Sequence, residues 1–193
     1  MGNRLAANGS PAVGGLDVLP NGIRDSTTAR PIDCLGPVAP FMRVVYEQAD
    51  VRGVAWQQFS NYGAQEVVSS SDTGVIEFSS DAEAQRVFTA FVAQWKACDG
   101  TTVTTYTHNA DNAELYGKVT DTTVVGPVLS ATIINGDNQQ NAPFPTERAV
   151  GITADCIVDV DVAVTDGKPA EQPSGRRAVT LAMVMLDKLA RAR

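Results

Sequence analysis

The chain has 193 residues, 44% of them hydrophobic, which is enough to bury one sizeable core and fits one domain better than two. Its 15 Lys and Arg are outnumbered by 22 Asp and Glu, giving a net charge of -7. That balance argues against nucleic acid and anionic lipid, whose binding draws on clustered basic residues.

Residues 1–33 are rich in Gly, Pro, Asn and Ser and read as an N-terminal arm lying over a domain formed by residues 34–193, with a short helix at Asn3–Ala7. Between Val38 and Gln48 the spacing suggests one short helix, with Pro37 and Pro40 suited to its start. A strand over 51–59 follows. Residues 64–68 and 74–79 read as two more strands, with Ser69-Ser70-Ser71-Asp72 as a turn or bulge between them.

The clearest helix begins at Ser80. Ser80 and Glu83 have the spacing of a capping box, and Ala84, Val87, Phe88, Phe91, Val92 and Trp95 then recur at helical intervals. Asp99-Gly100 ends it, and Cys98, three residues past Trp95, shares the buried face.

Threonine-rich segments at 101–107, 114–120 and 123–134 have the β-branched content of strands, and 135–145 reads as a polar loop. In the strand expected over 155–164, Cys156, Val158, Val160, Val162 and Val164 fall on one face, which should be core. Asp155, Asp159 and Asp161 fall on the other, which should meet water or a ligand. After a loop at 165–173, Ser174 can cap a last helix whose stripe is Val179, Ala182, Met183, Leu186 and Leu189. Its longest apolar stretch, 178–186, is half of the roughly 18 residues that a membrane helix needs. Two main helices and six or seven successive strands imply an α+β two-layer sandwich, a mostly antiparallel sheet packed by helices on one face.

Three cysteines leave one over after any single pairing. A bond between Cys34 and Cys98 would fasten the start of the domain to a helix end and mark an oxidising compartment, with Cys156 the buried odd one in its strand. Three reduced core cysteines in a cytosolic protein is the competing reading.

Chemistry-bearing patterns are sparse. His108 is the single histidine and sits in a turn-like segment, and no Gly-x-Ser-x-Gly or phosphate-cradling glycine loop is present, so no catalytic residue is assigned and an enzyme is not expected. A hydrolase would need His108 beside a Ser or Cys nucleophile. Asp155, Asp159, Asp161 and Asp166 could offer oxygens to a hard cation, but without a calcium-loop spacing a solvated strand face is the simpler reading. The cysteines and histidine show no zinc spacing, so no metal and no cofactor are expected. Trp56, Tyr46, Tyr62, Tyr106 and Tyr116 flank strands, as pocket walls or as simple core packing. Arg148, beside an apolar strand, needs an acidic partner or an anionic ligand, an internal salt bridge being the plainer choice.

Several stretches carry a family likeness: Asp33-Cys34-Leu35-Gly36, Val45-Tyr46, Val75-Ile76-Glu77-Phe78-Ser79-Ser80 with Ala82 and Ala84, Gln94-Trp95 with Cys98, Arg148-Ala149-Val150, and Val158-Asp159-Val160. In this order, over residues 33–190, the chain resembles the PknH-like extracellular sensor domain family of mycobacterial receptor kinases and related envelope lipoproteins. The resemblance implies a disulfide-held α/β sandwich with a cleft, which senses or binds a ligand without catalysing a reaction. It maps the family's first disulfide onto Cys34 and Cys98; the second pair falls on Thr146 and Ala163 and is lost. It also implies that Tyr46, Gln58, Tyr116 and Arg148 line the cleft, the tyrosines as walls and Gln58 and Arg148 orienting a polar group. The expected protein is a non-enzymatic, extracytoplasmic ligand-binding domain of a cell-envelope lipoprotein, exported or held by a lipid anchor outside this stretch of chain. Its ligand would be an unidentified small molecule or envelope component. The alternative is a protein–protein interaction module of the envelope.

Overall fold

The chain begins with short strands β1 (Ala6–Ala7), β2 (Ala12–Gly14) and β3 (Ala29–Arg30), then the one-turn helices α1 (Leu35–Val38) and α2 (Arg43–Tyr46). Long strands β4 (Val51–Ser60) and β5 (Val68–Phe78) lead into helix α3 (Asp81–Cys98). Strands β6 (Thr102–Tyr106), β7 (Glu114–Val125), β8 (Val128–Asp137), β9 (Phe144–Thr153) and β10 (Cys156–Val164) follow, and helix α4 (Arg176–Arg191) closes the chain. This is a computed structural model, which describes residues 5–61, 68–106, 114–139, 143–164 and 176–192. His108, Tyr62, Asp166, Ser174 and most of the strand expected over 64–68 lie outside those residues.

All the strands join one antiparallel sheet in the order β1-β4-β5-β10-β9-β8-β7-β6-β3, with β2 also on β4. The α+β class, the antiparallel sheet and the two main helices expected from the sequence are all present. Alternation along β10 separates what the two helices do. Val158, Val160, Val162 and Val164 pack with Ala178, Ala182 and Leu186 of α4. Ile157, one residue out of phase, packs in a second core with Val87, Phe88, Phe91 and Trp95 of α3. The helices therefore cover opposite faces of the sheet, because successive strand residues point to opposite sides. Asp159, expected on an open face, lies beneath the α1–α3 layer and is 2% exposed.

Local chemistry explains the elements. Ser80 accepts a hydrogen bond from the Glu83 amide and so caps α3. Glu83 does not complete the box; its carboxylate accepts from the Asp50 amide and from Arg86 instead. The helix expected over 38–48 is two single turns, since Pro40 has no amide to donate and Phe41 turns the chain with a φ of 57°. Phe41 keeps that left-handed conformation because its ring is buried and stacks on Trp56 at 5.7 Å. Ala6–Ala7 pair with Phe59 and Ser60 as a strand instead of ending a helix. The Ser69–Asp72 stretch continues β5, where the Ser71 hydroxyl donates to the Asp161 carbonyl. On α4, Ala178 takes the core position and Met183 is 47% exposed. Among the described residues, no helix is long and apolar enough to cross a membrane.

Candidate functional site

Arg148 projects from β9 into the α1–α3 side of the core and is 1% exposed. A buried guanidinium has five donors to satisfy, and here they reach two elements, β10 and α1. Nη1 donates to Asp159 Oδ1 at 2.6 Å and to the Val160 carbonyl at 2.8 Å. Nε donates to the Pro37 carbonyl at 3.0 Å and Nη2 to that of Gly36 at 3.4 Å. The Trp95 ring lies 5.5 Å from Cζ, within cation–π range. From α2, the Tyr46 hydroxyl donates to the other Asp159 oxygen at 2.7 Å, and its ring meets Phe91 edge-on.

Electrostatics fit this closed set. Burial, then the Asp159 carboxylate, holds the Tyr46 phenol well above its ordinary pKa. Burial works against the Arg148 charge, but the Asp159 and Asp161 carboxylates outweigh it and keep the arginine fully cationic. The cation thus ties α1, through two backbone carbonyls, to the middle of the sheet.

The second tie on α1 is covalent. Cys34, immediately before α1, is bonded to Cys98 at the end of α3, across a sequence separation of 64. Beside it, the Gln94 side chain donates to the Asp33 carbonyl at 2.7 Å. Cys156, outside this disulfide, is buried in β10, and its thiol donates to Asp155 Oδ1 at 3.3 Å.

Next to Arg148 runs a polar row across the sheet. Register places Gln58 of β4 opposite Asp72 of β5, Asp72 opposite Asp161 of β10, and Asp161 opposite Arg148. Gln58 hydrogen-bonds Asp72, whose carboxyl burial pushes above the usual range. Asp72 Oδ1 is buried and, among the described residues, has no hydrogen-bond partner.

Past the end of α1, the residues that follow the Arg148-bound carbonyls roof a cavity of about 490 Å³. Val38 and Ala39 form one wall; Val103, Leu115, Asn135 and Phe144 from the sheet form the other. Gly117 makes room for this approach, since a Cβ there would stand 2.9 Å from Ile133 and 3.2 Å from Val38. Asp137 is the sole charged residue among the described lining residues.

The structure therefore distributes the four candidate residues. Tyr46 and Arg148 share the buried network, Gln58 stands exposed at the end of the polar row, and Tyr116 belongs to the cavity wall. Alternation turns the Tyr116 ring away from the cavity, to the opposite face, where it covers Gly136. Asp72 and the Val38–Ala39 roof did not emerge from the sequence as site residues, and Asp159 and Asp161 emerged only as possible cation ligands on a strand face read as solvated. The requirement that Arg148 find an acid was the one signal toward Asp159. Among the described residues, no cluster of three or more His, Cys, Asp or Glu could hold a metal ion.

Comparison with known proteins agrees with this geometry at the level of fold. The model of the PknH-like extracellular domain family matches residues 16–188. No curated protein matches the chain. The crystal structure of the extracellular domain of PknH from Mycobacterium tuberculosis is similar at a TM-score of 0.77 and 17% identity, over 98% of this chain and 86% of that one. With nearly its whole length accounted for, the chain belongs to the family of PknH-like extracellular domains and is extracytoplasmic.

Proposed function

We propose that this domain binds a ligand outside the cytoplasm without transforming it, as part of an envelope protein held by a lipid anchor. The observation that supports this reading is the 490 Å³ cavity beside α1, a volume within the range of small-molecule sites. Its walls favour an apolar body. Asn135 and Asp137 offer a polar end, and the lack of Lys or Arg among the described lining residues disfavours an acid. In this reading Val38, Ala39, Leu115 and Phe144 touch the ligand. Arg148 and Tyr46 hold the roof in place, Tyr116 stiffens the wall, and Gln58 acts only through Asp72.

The experiment is binding of N-phenyl-1-naphthylamine, a neutral apolar fluorophore, together with native mass spectrometry of gently purified protein. Saturable binding that Ala39→Trp abolishes without loss of folding supports the reading. Binding untouched by Ala39→Trp places the probe elsewhere and overturns it. The alternative, a protein-docking module, draws on Val124 and Val125, which are 36% and 67% exposed at the β7–β8 turn. That pair is small for a docking surface.

A further inference from the structure

The three carboxylates of Asp72, Asp159 and Asp161 share one face of the sheet with the guanidinium of Arg148. Arg148 is committed to Asp159 by a 2.6 Å ion pair, so Asp72 and Asp161 face each other across β5 and β10 with no cation of their own among the described residues. Two ionised carboxylates so placed repel, and Asp72 Oδ1 has nothing among the described residues to accept from. A proton shared by the pair answers both problems.

We propose that the Asp72–Asp161 pair is a proton-operated latch on the cavity roof. With one proton held between the two carboxyls, Arg148 stays with Asp159 and with the Gly36 and Pro37 carbonyls that fix α1. When that proton leaves, Asp161 becomes a full anion directly across the strand pair from Arg148 and competes for the guanidinium. The bonds to Gly36 and Pro37 are then the weak points, because at 3.4 and 3.0 Å they are longer than the ion pair. Val38 and Ala39 follow directly in the chain, so slackening there loosens the roof.

The groups around Asp161 are Asp72 on β5, Arg148 on β9, Asp159 on its own strand and, beyond it, the Tyr46 phenol on α2; Gln58 on β4 is neutral. Burial is the largest influence and raises its pKa to about 7, Arg148 opposing and Asp72 and Asp159 adding to the rise. The latch would therefore work across the pH range that an extracytoplasmic domain meets.

The latch rests on the cavity being a binding site, and the experiment separates the two. Carbon-13 NMR of the aspartate carboxyls in the free protein should show one titrating near 7, with the Val38 and Ala39 amides shifting at the same midpoint. N-phenyl-1-naphthylamine should bind about fivefold more tightly at about pH 5.5 than at about pH 8. Asp161→Asn, isosteric with the protonated form, should remove the titration and hold the tighter affinity at both pH values. Asp72→Asn, a second route should that variant fold poorly, should move the midpoint downward. Titration of every aspartate below about pH 5 overturns the latch. Titration near 7 with pH-independent probe binding overturns the latch alone, whereas no probe binding at any pH removes the cavity reading and the latch with it.

Discussion

Thr146 on β9 and Ala163 on β10 stand directly opposite each other, and both are nearly buried. These are the positions onto which the resemblance maps the second disulfide of related domains. Opposed Cβ atoms in antiparallel pairs lie about 4.5–5.5 Å apart, close to what a disulfide requires. Thr146→Cys with Ala163→Cys should form a bond under oxidising conditions. Closing so short a loop is worth about 3 kcal/mol, less about 1 kcal/mol for the Asn135–Thr146 hydrogen bond that is lost. Non-reducing mass spectrometry and urea unfolding would check it, and two free engineered thiols would refute the pairing.

Reducing Cys34–Cys98 releases a closed loop whose ends are 64 residues apart, which in the chain-entropy account costs about 4 kcal/mol. The urea midpoint should fall accordingly when reductant is present. Thiol titration of the denatured, unreduced chain should count one group, Cys156, and a count of three would exclude the bond.

Removing one partner of the Arg148–Asp159 pair leaves a buried charge uncompensated, so Arg148→Met or Asp159→Asn should destabilise by about 3–5 kcal/mol. Tyr46→Phe removes only a hydroxyl donor and should cost about 1–3 kcal/mol. Equilibrium unfolding ranks the three. Near-equal losses would mean that the Tyr46 hydroxyl matters as much as the ion pair, whereas no loss on Tyr46→Phe would mean that its aromatic packing secures α2.

The raised pKa values of Asp161 and Asp72 fix the sign of a stability dependence. Between the unfolded value of 3.8 and the folded value of about 7, the native state retains a proton that the unfolded chain has released. Stability from this source is complete below that window and is lost as pH rises through it. Thermal melting from about pH 5 to about pH 8 should show a falling midpoint, and Asp161→Asn should flatten the slope. A slope equal in the variant would assign the dependence to other groups. At lower pH the sign reverses for Glu83, which Arg86 holds at about 2, so its contribution is present above 4.5 and fades on further acidification.

The sequence was most legible where one residue's chemistry is local. Ser80 and the Val87-to-Trp95 stripe define α3 without reference to anything distant, and the strand content of 114–134 follows from its threonines and valines. It was least legible where a second layer intervenes. Alternation in Val-Asp-Val separates two faces but cannot say that both are covered, so Asp159 read as solvated although its charge is answered from β9. Met183 read as core because it continues a stripe, whereas the small Ala178 is what lets α4 approach the sheet. The cavity was harder still, since its roof comes from Val38 and Ala39 and its floor from residues more than sixty positions away.

Glu147 and Arg148 are neighbours in β9, yet one serves each face: Glu147 accepts from the Arg177 and Ala178 amides at the start of α4, while Arg148 clasps Asp159 beneath α1. A slip of β9 by one residue would exchange them. The acid would enter a neighbourhood already holding three acids, and the base would confront the positive end of a helix. An adjacent pair of opposite charges thereby works as an alignment key, since a one-residue misregistration of this strand carries each charge to the face that opposes it.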